Sequence, residues 1–411
     1  MEPPGASEEQ PGSAPRGRVL FVGHDASRTG APIFLLRFLS WLKAKRDLPF
    51  DILIGSHGEL FGDYAALART DLFEPRSTLA MKILRRLGLH RGRERRQVQR
   101  ITAWLRAENI GTVYANSVAS ARMLDALAFL DCPVICHVHE LGDAVRIVGR
   151  GNIEILRRRA SVFIAVSQAV ARNLTDSYGI PAEKIRVIHG FVPVAELLKE
   201  ERTDAAAAMR SRLGIPTEAR LVCGCGSIGV RKGSDLFLEV ARQVAVPNRG
   251  APVHFLWVGG QPAAVEKIRA EAAAAGLGAV MHFIGDQESV APYFQASDVF
   301  LLTSREDPFP LVMLEAALFR TPIVCFADTG GAPEFLEGDA GFAVPKFDVA
   351  AMAGRLTELL QSPELRERMG SAARRKVIER HDLEQGAPRL AAVIEEHMKK
   401  PARAAQAFEK A

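Results

Sequence analysis

The 411-residue chain has no run of about 18 consecutive apolar residues, the length that a membrane-spanning helix needs. Its first residues also lack the order of a secretory signal peptide, in which basic residues precede an apolar stretch. Residues 1–16 are instead polar and rich in proline. We therefore expect a cytoplasmic protein with a disordered tail at residues 1–16 and a flexible tail at residues 400–411.

Cysteine is scarce, and its spacing excludes the usual metal sites. The sequence contains no C-x-x-C pair with a nearby set of histidine ligands, so it predicts no zinc site. No Asp-x-Asp pair occurs either, and we expect no metal and no cofactor. The cysteines lie in apolar, strand-like stretches and are interpreted as reduced core residues: Cys132, Cys136, Cys223, Cys225 and Cys325.

Length and pattern both predict two domains. Single hydrophobic cores stop growing at about 250–300 residues, and this chain is longer. Short apolar strands alternate with helical segments, which is typical of a parallel sheet covered on both faces. A polar, alanine-rich stretch interrupts the alternation. The sequence therefore predicts a first domain at 17–195, a linker at 196–212 and a second domain at 213–379.

Each domain is expected to be doubly wound, so the fold class is α/β. Domains of this kind bind ligands at the carboxyl ends of their strands, here in the cleft between two sheets. The strands predicted for the first domain are Arg18–Gly23, Phe50–Ile54, Gly111–Ala115, Pro133–His139, Val162–Val166 and Ile185–His189. Those predicted for the second are Arg220–Cys225, His254–Val258, Val280–Ile284, Val299–Leu302, Pro322–Phe326 and Gly341–Val344.

A glycine-rich turn follows the first strand of the second domain. Gly224 to Gly229 fits G-x-G-x-x-G, the pattern of a dinucleotide-dependent dehydrogenase. The acidic residue that should hold a ribose is missing, because the next strand ends in Gly259-Gly260. Two cations, Arg231 and Lys232, follow the glycines and could clamp a diphosphate together with backbone N–H groups. A dehydrogenase and an ordinary solvated turn remain open as alternatives.

Two carboxylates, Asp307 and Glu315, follow the strand Val299–Leu302. Pro308 and Pro310 suit a turn and the first position of a helix, whose free N–H groups would point into the cleft. A sugar presents hydroxyl groups that need hydrogen-bond acceptors as well as donors. The pattern therefore indicates a saccharide and phosphate site. The alternative is a helix-end carboxylate followed by a surface glutamate.

The stretch from Asp307 to Glu315 resembles the E-x7-E signature of retaining glycosyltransferases with the GT-B fold, in their large family 4 (glycosyl transferases group 1). The resemblance covers residues 17–398 and is strongest from Leu221 to Val344. It implies an N-terminal acceptor domain, a C-terminal donor domain and a helix at 380–399 that returns to the first domain. The surrounding motifs have the family's order and spacing: Arg231-Lys-Gly-Ser-Asp235, Trp257-Val-Gly259, Phe283-Ile-Gly285 and Gly330-Gly-Ala-Pro-Glu334.

The resemblance also implies roles for individual residues. His139, at the end of a predicted strand, and Asp307 are the expected catalytic residues. Two positions depart from the family pattern: Asp307 stands where glutamate is usual, and Gly226-Ser227 stands where the family often has arginine. The expected donor-binding residues are Gly30, Arg231, Lys232, Phe309, Pro310, Leu311 and Glu315, with the two cations on the diphosphate and Glu315 on the ribose.

The implied function is transfer of a sugar from a nucleotide-diphospho-sugar to a glycan or lipid-linked acceptor, as in polysaccharide biosynthesis. The resemblance implies retention of anomeric configuration, and the reaction is expected to need no metal. A catalytically weak, sugar-nucleotide-binding partner subunit is one alternative, which Asp307 and the missing arginine leave open. A dehydrogenase is the other, and the absent ribose-binding acid argues against it.

A basic segment at residues 82–100 carries eight Lys or Arg residues and one Glu. Such a segment favours an anionic surface, and lipid-linked acceptors lie at membranes. One hypothesis is therefore a peripheral location on the inner face of a membrane, and the alternative is a solvated helix face. Aromatic residues are not interleaved with the cations, so the segment does not predict nucleic-acid binding.

Overall fold

The computed structural model of the protein describes residues 17–75, 86, 91–245 and 252–398. The predicted tails and residues 82–85 and 87–90 of the basic segment lie outside the described residues. Residues 91–100 are described and form the start of a helix that extends to Ala107.

The first part of the described chain forms a seven-stranded parallel sheet with the order β3-β2-β1-β4-β5-β6-β7. Its strands are β1 (Arg18–Asp25), β2 (Phe50–Ser56), β3 (Thr70–Leu72), β4 (Ile110–Asn116), β5 (Val134–Val138), β6 (Val162–Ala165) and β7 (Ile185–Val187). Its helices are α1 (Gly30–Lys45), α2 (Phe61–Leu67), α3 (Arg91–Ala107), α4 (Ala121–Ala126), α5 (Gly142–Val148), α6 (Arg150–Arg159) and α7 (Gln168–Tyr178).

The second part forms a six-stranded parallel sheet, within the described residues, with the order β10-β9-β8-β11-β12-β13. Its strands are β8 (Arg220–Cys225), β9 (Val253–Val258), β10 (Met281–Phe283), β11 (Val299–Leu302), β12 (Ile323–Phe326) and β13 (Gly341–Val344). The helices are α8 (Val194–Leu198), α9 (Thr203–Arg212), α10 (Ser234–Ala245), α11 (Pro262–Ala274), α12 (Ala291–Gln295), α13 (Leu311–Leu318), α14 (Ala332–Leu336), α15 (Val349–Gln361), α16 (Pro363–Arg380) and α17 (Leu383–Glu396).

Strand β1 shows why these segments form central strands. Val19 and Phe21 pack into one apolar cluster, while Leu20 and Val22 pack into another on the opposite face of the sheet. Successive side chains of a strand point to opposite faces, so a strand covered on both sides must be apolar at nearly every position. The continuous apolar run from residue 19 to residue 22 satisfies that requirement.

Helix α17 packs against the first domain although it follows the second domain in the chain. Leu390 and Ile394 of α17 share an apolar cluster with Phe34 and Phe38 of α1. The indole nitrogen of Trp41 also donates to a carboxylate oxygen of Glu384 at 3.1 Å. The last described helix therefore holds the two domains together at one side of the cleft.

Two connections run between the domains and pair with each other. The backbone N–H of Val192 donates to the carbonyl of His381 at 2.9 Å, and the N–H of Leu383 donates to the carbonyl of Val192 at 2.8 Å. Further along, the predicted linker at 196–212 contains most of α8 and all of α9. Arg210 of α9 reaches the carboxylate of Asp298 at 3.3 Å, so α9 packs on the second domain.

Candidate active site

The topology places a crevice at the carboxyl ends of both sheets. In the first sheet β1 lies between β2 and β4, and in the second β8 lies between β9 and β11. The chain leaves these neighbouring strands in opposite directions, which opens a ligand site beside their carboxyl ends. The loops that follow β1, β4, β5, β8 and β11 supply most of the site residues, and the helices α1 and α13 supply the others.

The loops after β8 and β11 are in direct contact. Gly233 has a positive φ of 69°, and a Cβ atom there would lie 2.0 Å from the carbonyl oxygen of Thr303. Only glycine fits at this position. The N–H of Arg305 donates to the carbonyl of Arg231 at 2.8 Å, and the hydroxyl of Thr303 donates to the carbonyl of Gly233 at 2.9 Å. This contact brings the Arg231-Lys232 pair to the carboxylate-bearing loop.

Lys232 and Asp307 form a close ion pair in the cleft. The Lys232 Nζ lies 2.6 Å from the Asp307 Oδ2, and both side chains are largely buried, with 14% and 8% exposed. The Asp307 loop is fixed by its own backbone, because its N–H donates to the carbonyl of Thr329 at 2.8 Å. A Cβ atom on Gly330 would lie 1.6 Å from the Asp307 carbonyl, so this loop contact requires glycine.

Glu315 lies on α13 and pairs with Arg37, a residue of α1 in the other domain. Both terminal guanidinium nitrogens of Arg37 donate to the Glu315 Oε1 at 3.0 Å. Glu315 is only 6% exposed, so its carboxylate is largely desolvated. Arg37 was not predicted as a site residue. Its signal in the sequence is that it is the one cation in the apolar run from Ile33 to Leu39.

His139 lies at the end of β5 and faces the site as a neutral imidazole. The Asn116 amide nitrogen donates to the Ala31 carbonyl at 2.9 Å, so the Asn116 Oδ1 is the acceptor for His139 Nε2–H at 3.1 Å. Burial, with a smaller effect of nearby His24, lowers the pKa of His139 to about 3. His137, two residues earlier, is fully buried with its Nδ1 2.5 Å from the Tyr114 hydroxyl.

Glu140 organises the backbone next to His139. Its carboxylate accepts the N–H groups of Val118 at 3.2 Å and His139 at 2.9 Å, together with the Ser117 hydroxyl. Burial raises the pKa of Glu140 despite these hydrogen bonds. Ser117 has a φ of 144°, a conformation that is strained for any residue with a Cβ. Strain of this kind persists only where surrounding contacts enforce it.

The structure places Phe309 in the contact between the domains. Its side chain is 7% exposed, and its ring centroid lies 5.1 Å from that of His189 and 5.4 Å from that of His381. Pro310 is the residue before α13 and has no N–H, and Leu311 is the first helical residue and is partly buried. The first N–H groups of α13, those of Leu311 and Val312, have no intrahelical acceptor.

Gly30 and Arg231 lie at the rim of the cleft. Gly30 is the first residue of α1 and is exposed, and a Cβ atom there would meet no other atom within 4 Å. Space therefore does not require a glycine in this structure. Arg231 is also exposed, and its Nη1 donates to the Glu306 carbonyl at 3.3 Å.

Two further glutamates of the second domain cap helices of the first. Glu306 accepts the N–H groups of Asp143 and Ala144 at 2.7 and 3.0 Å at the start of α5, and burial raises its pKa.

Glu334 accepts the N–H groups of Gln168 and Ala169 at 2.8 Å at the start of α7, and its Oε2 lies 3.0 Å from the His189 Nε2. Burial alone would raise the pKa of Glu334, but these hydrogen bonds outweigh it and the pKa is lowered. Both carboxylates sit where a helix N-terminus favours negative charge.

The dinucleotide pattern at Gly224 to Gly229 does not form a dinucleotide-binding turn. Gly224 lies within β8, where a Cβ atom would clash with Trp257 and Phe237 at 2.8 and 2.9 Å. The next helix begins only at Ser234, so Gly229 lies in a loop and not in the first turn of a helix. The fingerprint needs its third glycine at the helix–strand contact, which argues against the dehydrogenase alternative.

Two features are absent from the described ranges, which have gaps at 76–85, 87–90 and 246–251. No three His, Cys, Asp or Glu side chains there are grouped so that they could hold a metal ion. No helix in the same residues combines the length and the apolar character that crossing a bilayer requires.

Known protein families match both halves of the chain. Residues 72–196 match the family described as Glycosyltransferase Family 4, and residues 206–376 match the family described as Glycosyl transferases group 1. A D-inositol 3-phosphate glycosyltransferase of Streptomyces scabiei (strain 87.22) is 31% identical over 287 residues, which cover 66% of this chain and 60% of that protein. The alpha-D-kanosaminyltransferase of Streptomyces kanamyceticus is 27% identical over 246 residues, which cover 58% of this chain and 61% of that protein.

Solved structures share the fold over nearly the whole chain. Anabaena Alr3699/HepE in complex with UDP-glucose has a TM-score of 0.76 at 19% identity, covering 92% of this chain and 100% of that chain. WaaG, a glycosyltransferase involved in lipopolysaccharide biosynthesis, has a TM-score of 0.70 at 17% identity, covering 92% and 99%. The α/β fold class predicted from the sequence, with two doubly wound domains in the GT-B arrangement, is confirmed.

The family matches, the related sequences and the fold together support a glycosyltransferase of the GT-B type. The match to the inositol phosphate enzyme spans 60% of that protein's length. The family matches and the fold therefore define the class of protein, a GT-B-type glycosyltransferase.

Proposed function

We propose that this protein transfers a sugar from a nucleotide-diphospho-sugar to a hydroxyl group of an acceptor, with retention of configuration and without a metal ion. The observation that carries the proposal is the Lys232–Asp307 ion pair between the loops after β8 and β11, with Glu315 on the helix α13 that follows the Asp307 loop. The spacing of Lys232, Asp307 and Glu315 in the sequence matches the donor motifs of the family. His139 faces the same cleft from the first domain.

The diphosphate of the donor is assigned to Lys232 and Arg231. Negative charge builds up on the leaving diphosphate as the bond to the sugar breaks, and fixed cations stabilise it more strongly in the transition state than in the ground state. Lys232 is paired with Asp307. We expect the diphosphate to take over part of this contact, which would free Asp307 to accept hydroxyl groups of the sugar.

The ribose of the donor is assigned to Glu315. Both N–H contacts from Arg37 use the Oε1 atom, so the Oε2 atom is available for ribose hydroxyl groups. Arg37 then holds the carboxylate in one orientation from the opposite domain. The first N–H groups of α13, near Leu311, would add positive potential on the same side.

His139 is assigned to the sugar, in a neutral form. A pKa of about 3 means that the imidazole carries no charge at neutral pH, and its Nε2–H is committed to Asn116. The ring can thus accept a hydrogen bond at Nδ1 without adding a positive charge beside the reacting carbon. Retention of configuration is inferred from the resemblance to the retaining family.

A phosphorylated polyol is a reasonable acceptor class to test, besides glycan and lipid-linked acceptors. The related Streptomyces enzyme is named for D-inositol 3-phosphate, and the structural relative from Anabaena binds UDP-glucose. These names suggest UDP-glucose and D-inositol 3-phosphate as the first donor and acceptor for an assay.

The decisive experiment is a donor panel with release of the nucleotide diphosphate as the readout. Turnover that Lys232→Ala abolishes, while the exposed control Lys199→Ala leaves it intact, would support the proposal. The second candidate is a sugar-nucleotide-binding partner subunit with weak turnover, favoured by Asp307 in place of glutamate. Tight binding of UDP without release from any donor would support that candidate, and no binding of any nucleotide diphosphate would contradict both.

A further inference from the structure

A cavity of about 660 Å³ lies between the two domains, separate from the proposed donor site. Its walls are the start of α5, the first turns of α7 and the loops that follow β11, β12 and β13. None of Lys232, Asp307 and Glu315 lines it. Its volume falls within the range of roughly 300–1,000 Å³ that is typical of small-molecule sites.

Most of the charged groups in the cavity wall already have partners. Glu306 and Glu334 accept the N–H groups at the starts of α5 and α7. Asp143 is paired with Arg146. Arg305 makes two contacts with the Asp235 carboxylate, at 2.7 and 2.6 Å. Each of these groups is thus held by a contact of its own and does not depend on a ligand for a partner.

Two cations in the wall are not neutralised. Arg172 comes from α7 of the first domain and Lys346 from the loop after β13 of the second. In the described part of the chain neither forms an ion pair, and the Lys346 ammonium contacts only the ring of Phe347, at 5.2 Å from its centroid. Asp328 is the one wall carboxylate with neither a partner nor a helix N-terminus among the described residues. The charged groups of the wall that lack a partner are thus two cations and one carboxylate.

Asn173 adds an unsatisfied hydrogen-bond donor. Its amide nitrogen is buried and has no hydrogen-bond partner among the described residues, and the residue lines the cavity beside Arg172. Buried polar groups in folded proteins are nearly always hydrogen-bonded, because an unmade bond costs the full desolvation of the group. The nitrogen is closed off from the cavity in this side-chain position, and rotation of the Asn173 side chain would let it donate to an anionic ligand beside the two unpaired cations.

We propose that this cavity binds a phosphate monoester carried by a polyhydroxylated small molecule. Arg172 and Lys346 offset the phosphate charge from opposite domains, and the Asn173 amide donates to a phosphate oxygen once its side chain rotates toward the cavity. Asp328 accepts a hydroxyl group of the same molecule. The unpartnered groups Arg172, Lys346 and Asp328 match this ligand class, whereas a neutral sugar would leave both cations unpaired.

The position of the cavity favours the acceptor as the source of this phosphate. Thr329 and Gly330 line the cavity and also pair with the backbone of Asp307. A ligand in the cavity therefore lies one loop away from the proposed sugar site. The assignment of the phosphate to the acceptor rests on the proposed function. The site itself does not, because a regulatory sugar phosphate would use the same contacts.

The test uses the full-length protein and measures thermal stabilisation and calorimetric binding by inorganic phosphate, D-inositol 3-phosphate and myo-inositol. The two phosphate probes should stabilise the wild type, and myo-inositol should bind at least tenfold more weakly than its phosphate. The Arg172→Gln, Lys346→Gln double variant should lose at least tenfold in affinity for both phosphate probes. The matched double variant Arg158→Gln, Lys199→Gln, at exposed positions outside the cavity, should respond as the wild type does.

Asn173→Leu provides a second signature. Removal of the unsatisfied amide should raise the melting temperature of the unliganded protein and weaken phosphate binding, two effects that a purely structural role would not combine. The proposal is overturned if the wild type and the cavity double variant respond equally to both phosphate probes.

The source of the phosphate is decided by turnover. If the double variant raises KM for a phosphorylated acceptor and leaves UDP affinity unchanged, the ligand is the acceptor. If a phosphate probe is not consumed but changes UDP affinity, the ligand is an effector, and the site still stands. Phosphate binding that depends on the cavity residues in a protein that binds no nucleotide diphosphate would refute the proposed function and leave the site intact.

Discussion

The contact between Arg37 and Glu315 makes the sharpest prediction about donor binding. If Arg37 holds the Glu315 carboxylate for the ribose, then Arg37→Gln should weaken UDP binding although Arg37 itself need not touch the nucleotide. Glu315→Gln should weaken it more, because that change removes the charged acceptor. The two losses should not add in the double variant, since Arg37 acts only through Glu315.

The expected magnitudes follow from the geometry. Glu315 is 6% exposed and its hydrogen bonds to ribose would be charge-assisted, and such bonds contribute about 1.5–3 kcal/mol. Glu315→Gln should therefore weaken UDP binding roughly tenfold to hundredfold. The Arg37 side chain is 24% exposed, so water can replace part of its contact. Its removal should weaken UDP binding about threefold to tenfold, less than the loss of a full charged hydrogen bond.

The assay is calorimetric titration with UDP and with 2′-deoxy-UDP. The wild type should prefer UDP, and both Glu315→Gln and the double variant should lose most of this preference. Arg37→Lys keeps the charge but not the two parallel N–H groups, so it should recover only part of the affinity. Arg158→Gln serves as the exposed arginine control, and circular dichroism checks that each variant is folded.

Two results would refute this reasoning. Unchanged UDP affinity in Arg37→Gln would mean that the ion pair has no part in donor binding. Tighter binding would mean that Arg37 competes with the ribose for Glu315 and that the observed pair must break before the donor enters.

Three other predictions address metal, membrane and pH. Transfer should survive EDTA, and loss of turnover that magnesium or manganese restores would contradict a metal-free reaction. Replacement of Arg93, Arg95 and Arg96 by glutamate should weaken binding to anionic vesicles by roughly 1 kcal/mol per residue at low salt and leave UDP binding unchanged. Equal vesicle binding by the variant and the wild type would mean that this helix face is only solvated. Burial lowers the pKa of folded His139 to about 3 from 6.5, so between these pH values the unfolded chain binds a proton that the folded chain does not. The free energy of unfolding should therefore fall below pH 6.5, by up to about 1.4 kcal/mol per pH unit for this histidine, and His139→Gln but not the exposed His57→Gln should reduce the slope.

Local pattern was sufficient to predict the central strands and the fold class. Residues 19–22 and 221–223 are apolar at every position because both faces of each sheet are covered, and a run of this kind can be recognised without a structure. The edge strand Thr70–Leu72 was missed because three residues, two of them polar, carry no periodic signal. Helix α9 was taken for part of a linker because its polar and alanine-rich sequence has no clear apolar face.

The motif from Asp307 to Glu315 and the Arg231-Lys232 pair could likewise be found from the sequence, since each is a short stretch of characteristic chemistry. Their partners could not. Arg37 and Glu315 are separated by 278 positions, and Glu306 reaches α5 over more than 160 positions. No local pattern encodes such contacts, because they depend on how the two domains face each other.

The sequence by itself therefore determined which segments are strands, where the loops carry cations and carboxylates, and that the chain has two doubly wound domains. Only the tertiary structure decided that Phe309 is buried between the domains, that Arg37 holds Glu315 and that Arg172 and Lys346 share one cavity. The physical reason is that strand formation follows from side chains near in sequence. Ion pairing and desolvation depend instead on groups that only the packing of the two domains brings together.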